Sequence, residues 1–179
     1  MDKIYINQDL ILRNAETKDI DDYLSVPFNK ELLMMYGSTM DYRTSKSKEK
    51  AALLIKEIQS EPYEWAIVCQ DKFIGQVRLV IDDINNKAKF AIGIFNPEYW
   101  SMGIGTKVSA AVVNYGFEYL KLHKIYLRVL KYNARAIKAY EKVGFIIEGE
   151  ERDSAFIKGE YYNDIHMGIL KSEFNINQL

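Results

Sequence analysis

The sequence of 179 residues contains one cysteine, three prolines and two histidines. A single cysteine cannot form a disulfide within the chain, and the apolar run EWAIVCQ around Cys69 predicts a buried thiol rather than a nucleophile. His123 and His166 are far apart and have no partner at metal-ligand spacing, so no metal site is predicted. Neither low-complexity tracts nor Gly/Ser/Pro-rich linkers mark a boundary, and a single domain over residues 1–179 is expected.

Charge of either sign is not in excess, since 24 basic and 25 acidic side chains give a formal net charge of −1. This balance provides no long-range attraction for nucleic acid or for an anionic membrane. The start of the chain, MDKIYINQDL, has no apolar stretch of signal-peptide length, and no run reaches the roughly 18 apolar residues of a membrane span. We expect a soluble, cytoplasmic protein whose partners include neither nucleic acid nor a membrane.

The N-terminal part is predicted to be mostly helical after one short strand. The segment LILRNA, residues 10–15, is typical of a strand, and Thr17 can cap a helix whose first turn carries Asp19. The pattern over residues 29–44 is irregular. A second helix is predicted from about 45 to 60.

Strands dominate from residue 64 onward. The runs EWAIVCQ and FIGQVRLVID, separated by the polar turn QDK, predict a hairpin, and INNKAKFAIGIF adds a third strand. A helix over 103–121 and the strand KIYLRVL follow, and Asn133 and Gly144 are placed to begin and end a further helix. Two closing strands, FIIEGEERDSAF and EYYNDIHMGIL, are joined through Lys158-Gly159. This order predicts an α/β (α+β) fold with a mixed sheet covered by helices, in which helix 103–121 is compatible with a parallel crossover.

Two glycines, Gly103 and Gly105, stand where a strand gives way to a helix, in NPEYWSMGIGTKVSAAVV. The start of a helix offers unpaired N–H groups and the positive end of a dipole, so phosphate can bind there when no side chain obstructs it. A tight structural turn is the alternative. The third glycine of a dinucleotide fingerprint and the Gly-Lys-Ser/Thr end of a P-loop are both missing.

Two segments resemble one family. PEYWSMGIGT is similar to the Q/R-x-x-G-x-G/A pyrophosphate loop of the Gcn5-related N-acetyltransferase (GNAT) superfamily, and NARAIKAYEKVGF resembles its next characteristic segment. The resemblance is strongest to the branch of ribosomal-protein N-terminal and spermidine acetyltransferases, spans about residues 10–170, and is most specific over 92–145. It implies a GNAT-like mixed, mostly antiparallel sheet of about seven strands flanked by about four helices. It also implies an acetyl-CoA-dependent N-acetyltransferase that acts on a primary amine.

The resemblance assigns residues to acetyl-CoA. Main-chain N–H groups around 100–106 would bind the pyrophosphate, and the edge of the strand IGIF would pair with the pantetheine arm. A main-chain N–H near Ile94 or Phe95 would stabilise the thioester oxygen, and Asn133 would contact the coenzyme as well as cap a helix. The expected coenzyme-binding residues are Ile94, Phe95, Trp100, Ser101, Met102, Gly103, Ile104, Gly105, Thr106, Asn133, Ala136 and Tyr140.

Tyr140 is the expected catalytic residue. It lies three positions after Ile137 on the same helical face and corresponds to the family's tyrosine that protonates the departing thiolate. With 13 tyrosines in the chain, a purely structural core tyrosine is the alternative. The resemblance implies direct attack by the amine, without a covalent acetyl-enzyme.

The phosphate loop departs from the family pattern. Trp100 occupies a position that is usually Gln or Arg, and Ser101-Met102 replaces a common Gly-Lys pair, so a basic side chain is missing near the phosphates. Lys107 can partly replace it. The helix residues Arg135, Lys138 and Lys142 can meet the 3′-phosphate or can simply form a solvated face.

The acceptor is left open by the sequence. Ala91 replaces a glutamate that relatives often use to handle the amine, and no general base is assigned. The segments ELLMMYGSTMDYR and EGEERDSAFIKGEYYND are candidate walls, and the acidic residues of the second can attract a cationic amine or merely keep a strand end soluble: Glu148, Glu150, Glu151 and Asp153. An acid-rich segment like that of spermidine acetyltransferase is not evident over 29–44.

Several acceptors and two rival functions follow from these gaps. A peptide N-terminus, a polyamine, an aminoglycoside and another small amine all stay open as acceptors. The rivals are a non-catalytic acyl-CoA-binding or regulatory module and a nucleotide-phosphate-binding domain. A homodimer through the hairpin 154–169 is a further expectation.

Overall fold

The computed structural model describes residues 3–27, 29–35 and 47–176. Within these ranges the chain forms eight strands, five α-helices and one short 3₁₀ helix, Pro97–Tyr99. In chain order the elements are β1 (Ile4–Tyr5), β2 (Leu10–Arg13), α1 (Asp19–Ser25), α2 (Lys30–Met35), α3 (Lys48–Ser60), β3 (Glu64–Cys69), β4 (Lys72–Asp82), β5 (Lys87–Ile94), α4 (Ile104–Glu118), β6 (Lys124–Leu130), α5 (Ala134–Val143), β7 (Ile146–Ile157) and β8 (Glu160–Leu170).

The eight strands form one sheet in the order β1-β2-β3-β4-β5-β6-β8-β7. Neighbouring strands are antiparallel except β5 and β6, which are parallel and are connected through α4. The predicted mixed, mostly antiparallel sheet is therefore confirmed. The described chain also contains the two-residue strand β1, and it forms α2 in a segment whose sequence pattern is irregular.

The parallel strands stay together only briefly. Residues 87–89 of β5 pair with residues 124–126 of β6, after which β5 runs on to Ile94 and β6 to Leu130 without further pairing between them. Their outer edges remain bonded to β4 and β8. The two strands thus separate toward their carboxyl ends and leave a gap within the sheet.

Helices cover both faces of the sheet. On one face the buried side chains Val108, Val112 and Phe117 of α4 belong to the same core as Phe90 of β5 and Leu127 of β6. On the other face a second core joins α1 and α3 to β3 and β4, through Ile20, Ile55, Ile58, Ala66, Val68 and Phe73. Each valine, leucine, isoleucine or phenylalanine side chain in these cores contributes roughly 1.5–3 kcal/mol when fully removed from water. In the part of the chain that is described, no helix is long and apolar enough to cross a bilayer.

The start of α1 differs from the sequence prediction. Lys18 is at the N-cap position and no side-chain capping bond forms, so the predicted cap by Thr17 is wrong. Instead the carboxylate of Asp19 accepts two bonds from the buried guanidinium of Arg13, at 2.7 and 2.8 Å, and one from the Glu16 N–H. This ion pair joins α1 to β2, which replaces the local capping interaction with a tertiary one.

The other turn and cap signals are confirmed. Gln70 and Asp71 have φ values of 49° and 62° in the hairpin between β3 and β4, as a tight hairpin turn requires. The Asn133 side chain accepts a bond from the Ala136 N–H, and Gly144 ends α5 at φ 105°. Ser47 caps α3 within the region predicted to begin it.

Candidate active site

A cavity of about 630 Å³ lies at the gap between β5 and β6 and extends to the start of α4 and to α5. It brings together most of the predicted coenzyme-binding residues: Ile94, Trp100, Ser101, Gly103, Gly105, Thr106, Asn133, Ala136 and Tyr140. Phe95, Met102 and Ile104 are not among its lining residues; Ile104 is buried and Met102 is exposed.

The start of α4 forms one wall of this cavity. Gly103, at φ 75°, occupies the N-cap position in a left-handed conformation, and the helix has no side-chain capping bond there. The Gly103 carbonyl accepts the Lys107 N–H at 3.1 Å, which leaves the N–H groups of the preceding turn for other acceptors. A Cβ at Gly105 would approach only Ile94, at 3.9 Å, so the packing of the protein itself leaves room for a small side chain at this position. The wall therefore has the unpaired donors and the dipole end that an anion can use.

Trp100 fixes the loop to β5 and holds a basic side chain nearby. Its indole N–H donates to the Ile94 carbonyl at 3.0 Å, and the Arg135 guanidinium lies 4.0 Å from its ring centroid, a cation–π contact. Lys138 and Lys142 also line the cavity from α5, whereas Lys107 does not. Ser101 and Met102 carry no charge, so the positive charge on this side of the cavity comes from these α5 side chains.

The main chain of β5 presents Ile94, rather than Phe95, to the gap. The Phe95 N–H donates to the Ile74 carbonyl at 2.7 Å, so that group is already bonded to β4, and its ring packs edge-on against Tyr23 and Phe73. Hydrogen bonding alternates along an antiparallel pair, so the N–H groups of Ile94 and Ile92 face away from β4, toward the gap. The predicted edge IGIF includes Ile92, but the sequence does not single it out, because its orientation depends on the register with β4.

Tyr140 lines the same cavity and is only 9% exposed. Its ring lies edge-on to Phe90 and Phe145, at centroid distances of 6.1 and 5.9 Å. Burial raises the pKa of the Tyr140 hydroxyl above its ordinary value, which keeps the proton on the oxygen at neutral pH. Within the described ranges this hydroxyl has no hydrogen-bond partner, so its proton is available to a bound group.

Ser109 is a lining residue that the sequence reasoning missed. It is fully buried on α4, and its Oγ has no hydrogen-bond partner among the described residues. An unpaired buried hydroxyl costs roughly 1–3 kcal/mol, which a polar group of a bound molecule can recover. Its position four residues after Gly105, on the same helix face, is the signal that could have identified it.

Only some residues of the two segments predicted to bind the acceptor line the cavity. Leu32 and Met35 from the first segment and Ala155 and Asp164 from the second line the cavity, whereas residues 36–43 of the first lie outside the described residues. None of the four predicted acidic residues is among the lining. Three of them contact basic neighbours instead, in the pairs Glu148 with Lys124, Glu150 with Lys131, and Glu151 with His166.

Cys69 and His166 do not line this cavity. Cys69 is buried at the end of β3, as predicted, and burial raises the pKa of its thiol. His166 contacts Glu151, and no group of three or more His, Cys, Asp and Glu side chains suited to a metal is found among the described residues.

The order and position of these elements agree with a known family. A family model described as the acetyltransferase (GNAT) domain matches residues 9–146. The chain belongs to the GNAT acetyltransferase family. It is an N-acetyltransferase, as the resemblance predicts.

Individual GNAT relatives extend this result. The chain is 39% identical over 165 residues to the spermidine N(1)-acetyltransferase of Escherichia coli strain K12, covering 91% of this chain and 87% of that protein. A putative ribosomal N-acetyltransferase of Bacillus subtilis is 28% identical over 94 residues, covering 52% and 51%. The crystal structure of spermidine N-acetyltransferase from Vibrio cholerae in complex with CoA and spermine superposes with a TM-score of 0.75 at 29% identity, covering 93% of this chain and 98% of that one.

Proposed function

We propose that this protein transfers the acetyl group of acetyl-CoA to a primary amine by direct attack on the thioester, with Tyr140 as the general acid. The observation that carries the proposal is that one cavity contains the open start of α4, the edge of β5 that does not pair with β6, and the Tyr140 hydroxyl. We further propose that residues 1–179 act as a single domain.

The chain offers distinct groups to each part of acetyl-CoA. Backbone N–H groups at 103–106 suit the pyrophosphate, and the basic side chains of α5 suit the remaining phosphate: Arg135, Lys138 and Lys142. The main chain at Ile94, with Asn133 and Ala136, suits the amide-bearing arm, and Ser109 Oγ supplies a further polar partner. Acetyl-CoA itself contributes an acetyl group activated as a thioester.

Tyr140 acts when the thioester bond breaks. The amine nitrogen bonds to the carbonyl carbon, the carbonyl oxygen takes up charge beside the Ile94 N–H, and the carbon–sulfur bond then breaks. The Tyr140 hydroxyl gives its proton to the departing sulfur, and the proton lost by the amine returns through water to the tyrosine oxygen. The products are an N-acetyl amine and CoA thiol, with no acetyl group left on the protein.

The test is thiol release from acetyl-CoA by the wild type and Tyr140→Phe, over peptide N-termini, polyamines, aminoglycosides and small amines. Loss of a general acid is expected to lower kcat by roughly 10²–10⁴-fold, with little change in the affinity for acetyl-CoA. Tyr5→Phe removes a hydroxyl from a tyrosine that is 71% exposed and serves as the matched control. Unchanged turnover in Tyr140→Phe would contradict its assigned role, and tighter binding of ATP or NAD than of acetyl-CoA would contradict the proposed coenzyme.

A further inference from the structure

Three basic residues lie on the side of the gap opposite α4. Phe90 and Leu127 belong to the core beneath α4, so their neighbours Lys89 on β5 and Arg128 on β6 project from the other face of the sheet. Arg78 on β4 pairs with residue 91, two positions from Lys89, and therefore shares that face. All three basic residues line the cavity.

The positive charge of this cluster is only partly neutralised. Lys89 is exposed and has no ion-pair or hydrogen-bond partner among the described residues. Among the described residues, Glu64 is the carboxylate that pairs with Arg78, at 3.9 Å from one guanidinium nitrogen, a distance that leaves most of the guanidinium donors unused. Arg128 is more fully paired, with Asp164 at 3.0 Å and Glu151 at 3.7 Å. Of these three residues, Arg78 and Lys89 therefore have the most N–H donors available for a bound anion.

Among the described residues, few carboxylates on this side could receive a second ammonium group. Among the described lining residues Asp164 is the one carboxylate. Its Oδ2 already accepts the Ser154 hydroxyl at 2.7 Å and faces Arg128 Nε at 3.0 Å. A polyamine that entered from this face would therefore place its distal positive charges beside Arg78 and Lys89, where like charges repel.

We infer that the acceptor is a small primary amine that also carries an anionic group, a carboxylate or a phosphate, which Arg78 and Lys89 bind while the amine reaches the thioester through the gap. A guanidinium binds such oxygens through paired N–H donors, and an ammonium adds a point charge beside them. This inference rests on the proposed acetyl transfer and names the class of its acceptor.

Matched acceptor pairs test the inference. Lysine is compared with cadaverine, its analogue without the carboxylate, and phosphoethanolamine with ethanolamine, while spermidine represents the polyamines. The anionic member of at least one pair is expected to have a kcat/KM higher by about tenfold or more than its partner and than spermidine, and the two pairs distinguish carboxylate from phosphate. Acetylation that favours spermidine or the members without an anionic group overturns the inference alone. Silence with every amine overturns the proposed function, and the inference with it.

Charge-removing variants assign the effect to the two residues. Arg78→Gln and Lys89→Gln are each expected to raise KM for the preferred anionic amine about tenfold while KM for its matched neutral or cationic partner and for acetyl-CoA stays unchanged. Lys56→Gln removes the same charge from an exposed position on α3 outside the cavity and is the control. An equal rise in KM for both members of the pair, or no rise for the anionic one, would overturn the assignment.

Discussion

Glu64 is a buried carboxyl group behind the Arg78 side chain, with 3% of its surface exposed. Burial raises the pKa of this carboxyl above its ordinary value, Arg78 opposes the rise, and Glu61 and Glu57 reinforce it. The ionised form is therefore disfavoured in the folded protein, although it is the form that pairs with Arg78.

The raised pKa of Glu64 predicts a specific pH dependence. Because the folded pKa exceeds the unfolded one, the stabilisation from protonated Glu64 is fully present below the ordinary glutamate pKa of 4.5 and is lost as pH rises through the folded value. The free energy of unfolding of Glu64→Gln, minus that of the wild type, should accordingly increase from pH 4.5 toward neutral. Urea unfolding across this range measures the difference, with the exposed Glu118→Gln as control. A difference independent of pH would contradict the raised pKa.

Individual residues whose role depends on their sequence neighbours were predictable, and residues whose role depends on tertiary contacts were not. Asn133 and Gly144 were identified because a cap depends on neighbours within a few positions. The pairing of Asp19 with Arg13, and the bond that occupies the Phe95 N–H, depend on which strands and helices meet. No sequence pattern specified the register that places Lys89 beside Arg78, so the basic cluster emerged only from the sheet.

Among the elements, α4 combines a structural and a proposed binding role at one end. Gly105 is within the first turn, and a methyl group there would meet only the tip of Ile94 at an ordinary contact distance. Gly105→Ala should therefore leave the free energy of unfolding unchanged or raise it by up to about 1 kcal/mol, since alanine favours a helix. The same methyl would obstruct the approach of pyrophosphate to the backbone, and the Kd for acetyl-CoA should rise roughly tenfold or more.

Chemical denaturation and calorimetric titration of Gly105→Ala measure these two quantities separately. Gly149→Ala on β7 is the control, because a Cβ there meets no atom within 4 Å and the residue lies outside the cavity. Retained affinity in Gly105→Ala would contradict a pyrophosphate site at the start of α4. Lost stability would instead show that the glycine serves the fold.

Element boundaries show the same division between local and long-range information. The strand KIYLRVL was predicted with its observed limits, Lys124–Leu130. Its alternation of apolar and polar residues and the turn residues on either side are all visible in the local sequence. The strand β1 has only two residues and exists through its pairing with β2, and α2 is a six-residue helix without a strong amphipathic period. Pairing with β2 stabilises β1, and the burial of Leu32 and the bond from the Tyr132 hydroxyl to the Met34 carbonyl stabilise α2. The described chain therefore has more elements than the predicted number of about seven strands and about four helices.

For the whole molecule, the cavity couples acetyl-CoA binding to stability, because its walls come from β5, β6, α4 and α5 together. A ligand that binds only the folded state at about 100 times its Kd stabilises by about 2.7 kcal/mol. For a domain of this size that corresponds to a rise in Tm of roughly 5–10 °C. If residues 1–179 form one domain, differential scanning calorimetry should show a single unfolding transition, and acetyl-CoA should raise the Tm of that whole transition. Two transitions, of which acetyl-CoA moves only one, would contradict the single domain, and a single unmoved transition would contradict coenzyme binding.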